Sequence, residues 1–289
     1  MQFYKRMRRI FTIVIGLIIS ITLSSNAQES NMHLNPFSQL DSYLVHQNTL
    51  ANPVDKSSFS NLIEKLERKR KRKSNDFEFL KSVFYKTHDK LLVKYDKLAS
   101  LDETLENGRY GCLTGTITYA IILDHFDIDY DILELPNHVF LQIKLEDRVV
   151  YFESTMPRDG FSVATSEVEE RINQFILESE IPLTTIGNKI SANWDNEIYI
   201  KKIGLNELNA LQHFNESIKN YTHKRYSKSI EHAVQAYSMY PNERNKMLMQ
   251  LVLNKVRNLK CNSKKERDFY IRQFKEELSE RGISNLNQL

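Results

Sequence analysis

The 289-residue sequence has only two cysteines, no large excess of either charge, and no apolar run long enough to span a bilayer. The two cysteines, Cys112 and Cys261, allow at most one disulfide bridge within the chain. The long apolar run from Ile10 to Leu23 holds 14 residues, whereas a membrane-spanning helix needs about 20. The histidines have neither an HExxH motif nor another spacing typical of zinc ligands, so we predict no metal and no other cofactor.

Residues 1–27 have the pattern of a secretory signal peptide. Four basic residues precede the apolar run, and Ser25-Asn26-Ala27 supplies small residues before a cut at Gln28. We therefore predict an exported protein, periplasmic or secreted. An uncleaved segment would instead anchor the protein to a membrane. No cysteine lies at the cut, which argues against a lipid-anchored lipoprotein.

The charge balance gives no argument for a nucleic-acid partner. The whole chain has a formal net charge of +3, and removal of the four basic residues of the signal segment leaves −1. The one dense basic block is Arg68 to Lys73. A solvated helix end or linker is the simpler interpretation of this block, and an acidic surface or anionic lipid is the alternative partner.

The segment before the central region is predicted to be an N-terminal extension, residues 28–75, that ends in a basic linker. Its first part, up to Lys56, is rich in Asn and Ser, which predicts little fixed structure. Asp76 to Ala99 has apolar residues at near-helical spacing, so we predict one helix, or two helices with a break near His88. We expect His88 to be exposed because its neighbours are charged.

The stretch from Gly108 to Pro157 holds the residues of a thiol catalyst. Cys112 opens an apolar helical segment, His138 opens an alternating strand pattern, and Glu153 ends the next one. A helix N-terminus stabilises a thiolate, a neighbouring imidazole can accept the thiol proton, and a carboxylate can fix the imidazole ring. A buried inert thiol, or a bridge to the second cysteine, would be the alternative role of Cys112.

The spacing also predicts how His138 and Glu153 meet. A two-residue turn at Glu146-Asp147 would pair Phe140 with Glu153 across an antiparallel hairpin. His138 and Glu153 would then lie on one face as diagonal neighbours, about 7–8 Å apart at the backbone. A three-residue loop without a bulge would put Glu153 on the other face.

This stretch resembles the core of the transglutaminase-like superfamily, a branch of the papain-like cysteine enzymes. The matching motifs are GC at 111–112, HVF at 138–140, and YFEST at 151–155 followed by Met-Pro. The resemblance implies an α+β core over residues 76–203, in which a helix bearing the cysteine packs on an antiparallel sheet bearing the histidine and the glutamate. It also implies roles of nucleophile for Cys112, general base for His138 and orienting acid for Glu153. Many members carry Asp where Glu153 stands.

The resemblance further implies the reaction. Such an enzyme acts on amide bonds of a peptide or protein through an acyl-thioester, and the acyl group passes to water or to an amine. Papain-like enzymes place a polar oxyanion donor a few residues before the nucleophile, and Asn107 is the nearest such residue here. The alternative is a catalytically inactive protein that keeps the fold and binds a partner through its C-terminal helices.

Residues 204–289 resemble one tetratricopeptide unit followed by further helices, which gives an all-α helical-repeat region. Tyr226, Ser229, Ala236 and Pro241 match the large, small, small and proline positions of the second helix of such a unit, whereas Ala233 stands where an aromatic residue is usual. A single unit cannot bury its apolar face alone, so we expect it to pack against neighbouring elements and to offer a surface for a protein partner.

Overall fold

The computed structural model describes residues 36–45, 53–72, 75–135, 137–168, 170, 200–259 and 264–283. These residues form an α+β fold with one antiparallel five-stranded sheet, which is the class predicted from the sequence. Within these ranges no helix is both long enough and apolar enough to cross a membrane. The predicted signal segment and Cys261 lie outside the described residues.

Among the described residues, both helices and strands occur before residue 204, and helices follow. The elements before the sheet are α1 (Pro36–Ser42), α2 (Ser57–Arg70), α3 (Asp76–Lys90), β1 (Lys94–Tyr95), α4 (Leu101–Asn107), β2 (Arg109–Tyr110) and α5 (Cys112–His125). The sheet strands are β3 (Asp131–Leu135), β4 (His138–Lys144), β5 (Val149–Phe152), β6 (Phe161–Val163) and β7 (Lys201–Ile203). The C-terminal helices are α6 (Leu205–Thr222), α7 (Tyr226–Met239), α8 (Glu243–Arg257) and α9 (Lys264–Glu280).

The sheet has the strand order β6-β5-β4-β3-β7. Strands β4 and β5 form a hairpin whose register pairs Leu141 with Phe152. The N–H of Leu145 donates to the carbonyl of Arg148 at 2.8 Å, which closes the two-residue turn at Glu146-Asp147. The predicted turn and register are therefore confirmed. Strands β1 and β2 form a separate parallel pair.

Helix α5 is buried along most of its length, so packing rather than propensity holds it in place. Its threonines are poor helix formers, yet their hydroxyls are satisfied inside the core. The hydroxyl of Thr118 donates to the carbonyl of Thr114 at 2.7 Å, and that of Thr116 donates to the carbonyl of Val139 in β4 at 3.3 Å. The second contact ties the helix directly to the strand that begins with His138.

The segment before Asp76 contributes more to the core than the sequence predicts. Helix α1 lies in the stretch expected to have little fixed structure, but its Leu40 is fully buried. The amide of Gln39 donates to Asp124 at the end of α5 at 2.5 Å, which fixes α1 against that helix. Helix α2 buries an apolar edge in the same core. Its basic end, up to residue 72, is exposed or half-buried, as expected for a solvated helix end.

The C-terminal helices share the core of the sheet. Helices α6 and α7 pack closely against each other. The hydroxyl of Ser217 donates to the carbonyl of Ser229 at 2.8 Å across this contact. Leu208 and Leu211 of α6 belong to the main core, whereas Ile218 belongs to a second cluster with α7, α8 and α9.

A buried carboxylate strengthens this junction. Glu134 on β3 lies 3.0 Å from Nη1 of Arg244 on α8 and accepts a 2.9 Å hydrogen bond from the hydroxyl of Tyr240. The Nζ of Lys201 on β7 donates to the same hydroxyl at 2.7 Å. A buried charge is stable only when it is paired, so this cluster fixes α8 against the sheet.

Candidate active site

Cys112 is the first residue of α5, as predicted from the sequence. The residue before it, Gly111, donates its N–H to Oγ1 of Thr114 at 3.1 Å, which stabilises the first turn. The thiol is free and partly exposed. The start of a helix carries unpaired N–H groups and partial positive charge, and Cys112 lies at this end of α5.

Two glycines let the start of α5 approach its neighbours closely. A Cβ on Gly115 would lie 2.5 Å from the Cβ of Ser154, just after β5, and a Cβ on Gly111 would lie 2.9 Å from the carbonyl oxygen of Lys97. The Ser154 hydroxyl in turn donates to the carbonyl of Cys112 at 3.3 Å. Close backbone approach therefore brings the start of α5 to the end of the hairpin strand.

The hairpin register brings His138 and Glu153 together. Nε2 of His138 contacts Oε2 of Glu153, and only 16% and 14% of the two side chains are exposed. The other carboxylate oxygen accepts two hydrogen bonds from Thr155, from its N–H at 2.8 Å and from its hydroxyl at 2.6 Å. Both oxygens of the carboxylate are thus held, so Glu153 can fix the orientation of the imidazole ring.

The third member of the group is the thiol. The thiol of Cys112 lies close enough to the imidazole of His138 to raise its pKa, and Glu153 contacts the same ring through Nε2. Burial by itself would lower the pKa of His138, but the hydrogen bonds with Cys112 and Glu153, together with their negative charges, raise it from 6.5 to about 10. With its pKa at about 10, the imidazole of His138 keeps its proton at neutral pH.

Asn107, the predicted oxyanion donor, does not join this group. It is the exposed last residue of α4, and the structure gives it no side-chain hydrogen bond to the described residues. Its role stays a prediction. The main-chain N–H of Cys112, at the open end of its helix, is a donor of the kind that can stabilise an oxyanion.

Comparison with known proteins assigns no family. No protein-family model, no curated protein and no solved structure matches the chain. The function must therefore be argued from the geometry of the site.

Sequence reasoning was wrong about one residue beside the site. His88 is buried, with 8% of its surface exposed, and its ring lies 5.6 Å from that of Tyr110. Burial lowers its pKa by more than the main chain at Leu92 and the charge of Glu153 raise it, so the ring is neutral at pH 7. Its position on the inner face of α3, four residues after Phe84, is the signal that could have indicated burial.

A second histidine contact lies in the C-terminal helices. Nδ1 of His213 on α6 lies 3.0 Å from Nδ1 of His232 on α7, although the two residues have no ligand spacing in sequence. In the part of the chain that the structure describes, no group of three or more His, Cys, Asp or Glu side chains could hold a metal ion.

Proposed function

We propose that the protein is a transglutaminase-like cysteine enzyme that acts on peptide or protein amide bonds through an acyl-thioester. The single observation that carries this proposal is the contact between His138 and Glu153 beside the start of α5, where Cys112 raises the pKa of the imidazole. Ser154, the residue after Glu153, donates a hydrogen bond to the carbonyl of Cys112 and so places the thiol residue next to this pair. A buried structural thiol would have no need of a neighbouring imidazole whose ring is fixed by a held carboxylate.

The proposed reaction has two halves. The Cys112 thiolate attacks the amide carbonyl carbon, the main-chain N–H at the helix start stabilises the oxyanion, and the imidazolium of His138 donates its proton to the leaving nitrogen as the C–N bond breaks. Water or an amine then attacks the thioester, His138 takes the proton of that nucleophile, and the C–S bond breaks to restore the thiolate. Glu153 holds the ring in one orientation throughout.

Further parts of this proposal rest on the sequence pattern. The C-terminal helices would be a degenerate tetratricopeptide-like unit that packs on a papain-like core, and the protein would be exported, in the periplasm or outside the cell. The alternative function, a binding module without catalysis, requires that Cys112 be dispensable.

Alkylation by iodoacetamide tests the proposal. We expect the wild-type thiol to react well below its ordinary pKa of about 8.5, and His138→Gln to lose at least about 100-fold in rate at pH 6 because the thiolate fraction falls. Cys112→Ala should take up no label at this position, and His223→Gln, which changes an exposed histidine in the C-terminal helices, should behave as wild type. Equal rates in wild type and His138→Gln at pH 6 would refute the activated thiol and favour the binding module.

A further inference from the structure

Strand β1 lies beside the segment that leads into Cys112. β1 pairs in parallel with β2, with Tyr95 opposite Tyr110, and Gly111 and Cys112 follow β2 in the chain. The carbonyl oxygens that follow β1, on Asp96 and Lys97, come within 3.1 and 2.9 Å of the point where a Cβ on Gly111 would stand. β1 is therefore held against the residue that precedes the thiol.

The edge of β1 that faces away from β2 has main-chain groups that pair with no strand of the described residues. The N–H groups of Lys94 and Asp96 donate to the carbonyls of Gly108 and Tyr110, at 2.9 and 2.7 Å. Because alternate residues of a strand point their main-chain groups to opposite edges, the N–H and C=O of Tyr95 point away from β2. Within the described residues this sheet has two strands, so no further strand covers that edge.

The side chains along this edge are exposed and apolar. Val93, just before β1, and Tyr95, in β1, expose 69% and 54% of their surface. The Tyr95 ring meets that of Tyr110 edge-on at 6.0 Å. Partial burial, and then the negative charges of Cys112 and Glu153, raise the pKa of Tyr95, which agrees with a phenol close to the proposed centre.

The edge also carries uncompensated positive charge. Lys94 and Lys97 are exposed and form no ion pair with the described residues. Arg109, by contrast, is paired with Asp96. A ligand that lies along β1 would gain from acidic side chains near these two lysines.

We propose that the acyl donor of Cys112 is an extended peptide segment with acidic side chains, which docks as a third strand on β1 through the N–H and C=O of Tyr95. Main-chain pairing would position the segment, and Val93 and Tyr95 would contact its apolar side chains. This inference rests on the proposed function, since it assigns the kind of substrate that the thiol would meet.

Peptide chloromethyl ketones that alkylate Cys112 test the docking without knowledge of the natural substrate. The parent probe is acetyl-Glu-Leu-Gly chloromethyl ketone, and two analogues carry an N-methyl group on the Leu nitrogen or on the Gly nitrogen. Since only one of these N–H groups can face the edge, one methylation should slow alkylation about tenfold, as expected for one or two lost hydrogen bonds, and the other should change it little. Equal rates for all three probes, or equal loss for both analogues, would overturn the docking mode.

Variants of the edge give the matching test on the protein. Tyr95→Ala removes the ring alone, whereas Tyr95→Pro also removes the outward N–H, which the β1–β2 ladder does not use. We expect the parent probe to react about tenfold more slowly with Tyr95→Pro than with Tyr95→Ala. Equal rates for these two variants would overturn the role of the main chain.

Replacement of Glu by Lys in the probe tests the charge. The Lys probe should react more slowly at low salt, and the difference should fade near 1 M salt, where the Debye length is about 3 Å. An equal rate for both probes at low salt would overturn the acidic preference. Iodoacetamide, which is too small to use the edge, separates the two proposals: if it reacts readily at pH 6 while the probes show no preference, only the docking fails, and if it does not react, the proposed function fails.

Discussion

Two regions of the molecule each bury a histidine against a polar partner, and the two histidines respond in opposite ways. In the α+β core His138 contacts Glu153, and its pKa rises to about 10. In the C-terminal helices His213 contacts His232, and its pKa falls to about 4, because burial and then the charge of Arg281 both oppose protonation.

The comparison shows that partners, rather than burial, decide what a histidine can do. Burial lowers the pKa at both places. A carboxylate and a thiol reverse the effect in the core, so the ring there can hold and release a proton. A second imidazole and a guanidinium bring no negative charge that could reverse the effect, so the contact between the two rings is part of the helix packing.

Among the changes that test this comparison, the largest effect is expected from making His138 resemble His213 by removal of its carboxylate partner. Glu153→Gln keeps the shape of the side chain but not its charge, so the pKa of His138 should fall and the thiolate should lose a stabilising imidazolium. We expect the rate of iodoacetamide alkylation at pH 6 to fall between about 10- and 100-fold, since an opposite charge at contact distance shifts a pKa by about 1–3 units.

The control for this change is Glu277→Gln, which removes a carboxylate beside Arg281 in the other region. It should leave the alkylation rate unchanged. A Glu153→Gln protein that reacts as fast as wild type at pH 6 would mean that the carboxylate orients nothing and that the thiol and the ring act without it.

The hairpin that joins His138 to Glu153 was predictable because every determinant is local. The alternation of β4 and β5 and the two-residue turn at Glu146-Asp147 fix which residues pair, and a change of one residue in the loop would have moved Glu153 to the other face. The start of α5 at Cys112 was predictable for the same reason, since a glycine precedes an apolar run.

The features that the sequence did not predict all depend on contacts between segments far apart in sequence. The burial of His88 depends on rings from Tyr110 and Tyr119, and the burial of Leu40 depends on α5. The contact between His213 and His232 depends on the register of two packed helices, which the sequence pattern does not specify. Local pattern predicts elements and hairpins, whereas these contacts follow from tertiary packing.

The second prediction concerns stability in acid and the histidine of the C-terminal helices. His213 has a folded pKa of about 4, below the 6.5 of an ordinary histidine, so protons bind the unfolded chain more tightly. Above pH 6.5 the titration of His213 does not change the free energy of unfolding. As the pH falls from 6.5 to 4, protonation of this residue in the unfolded chain lowers the free energy of unfolding by up to about 3 kcal/mol. The groups facing it are His232 on α7 and Arg281 at the end of α9, and neither can neutralise an added proton.

Urea unfolding at several pH values measures this contribution. His213→Gln should reduce the slope of the free energy of unfolding against pH between pH 6.5 and 4. Part of the slope should remain, because the pKa of His88 is also lowered in the folded protein. His223→Gln, at an exposed site, should keep the wild-type slope. An identical slope in all three proteins would contradict the low pKa assigned to His213.

The smallest predicted effect separates the two causes that act on His213. Arg281 is held near the histidine pair by Oε1 of Gln235 at 2.8 Å and by Glu277, and its charge is the lesser cause of the low pKa after burial. Arg281→Met should therefore raise the pKa of His213 only part of the way from about 4 towards 6.5, as measured by NMR titration of the ring protons. Arg272→Met removes the same charge from an exposed position on α9 and should leave the titration unchanged. A full return to 6.5 in Arg281→Met would mean that charge, not burial, keeps this ring neutral, and the contrast with His138 would then be purely electrostatic.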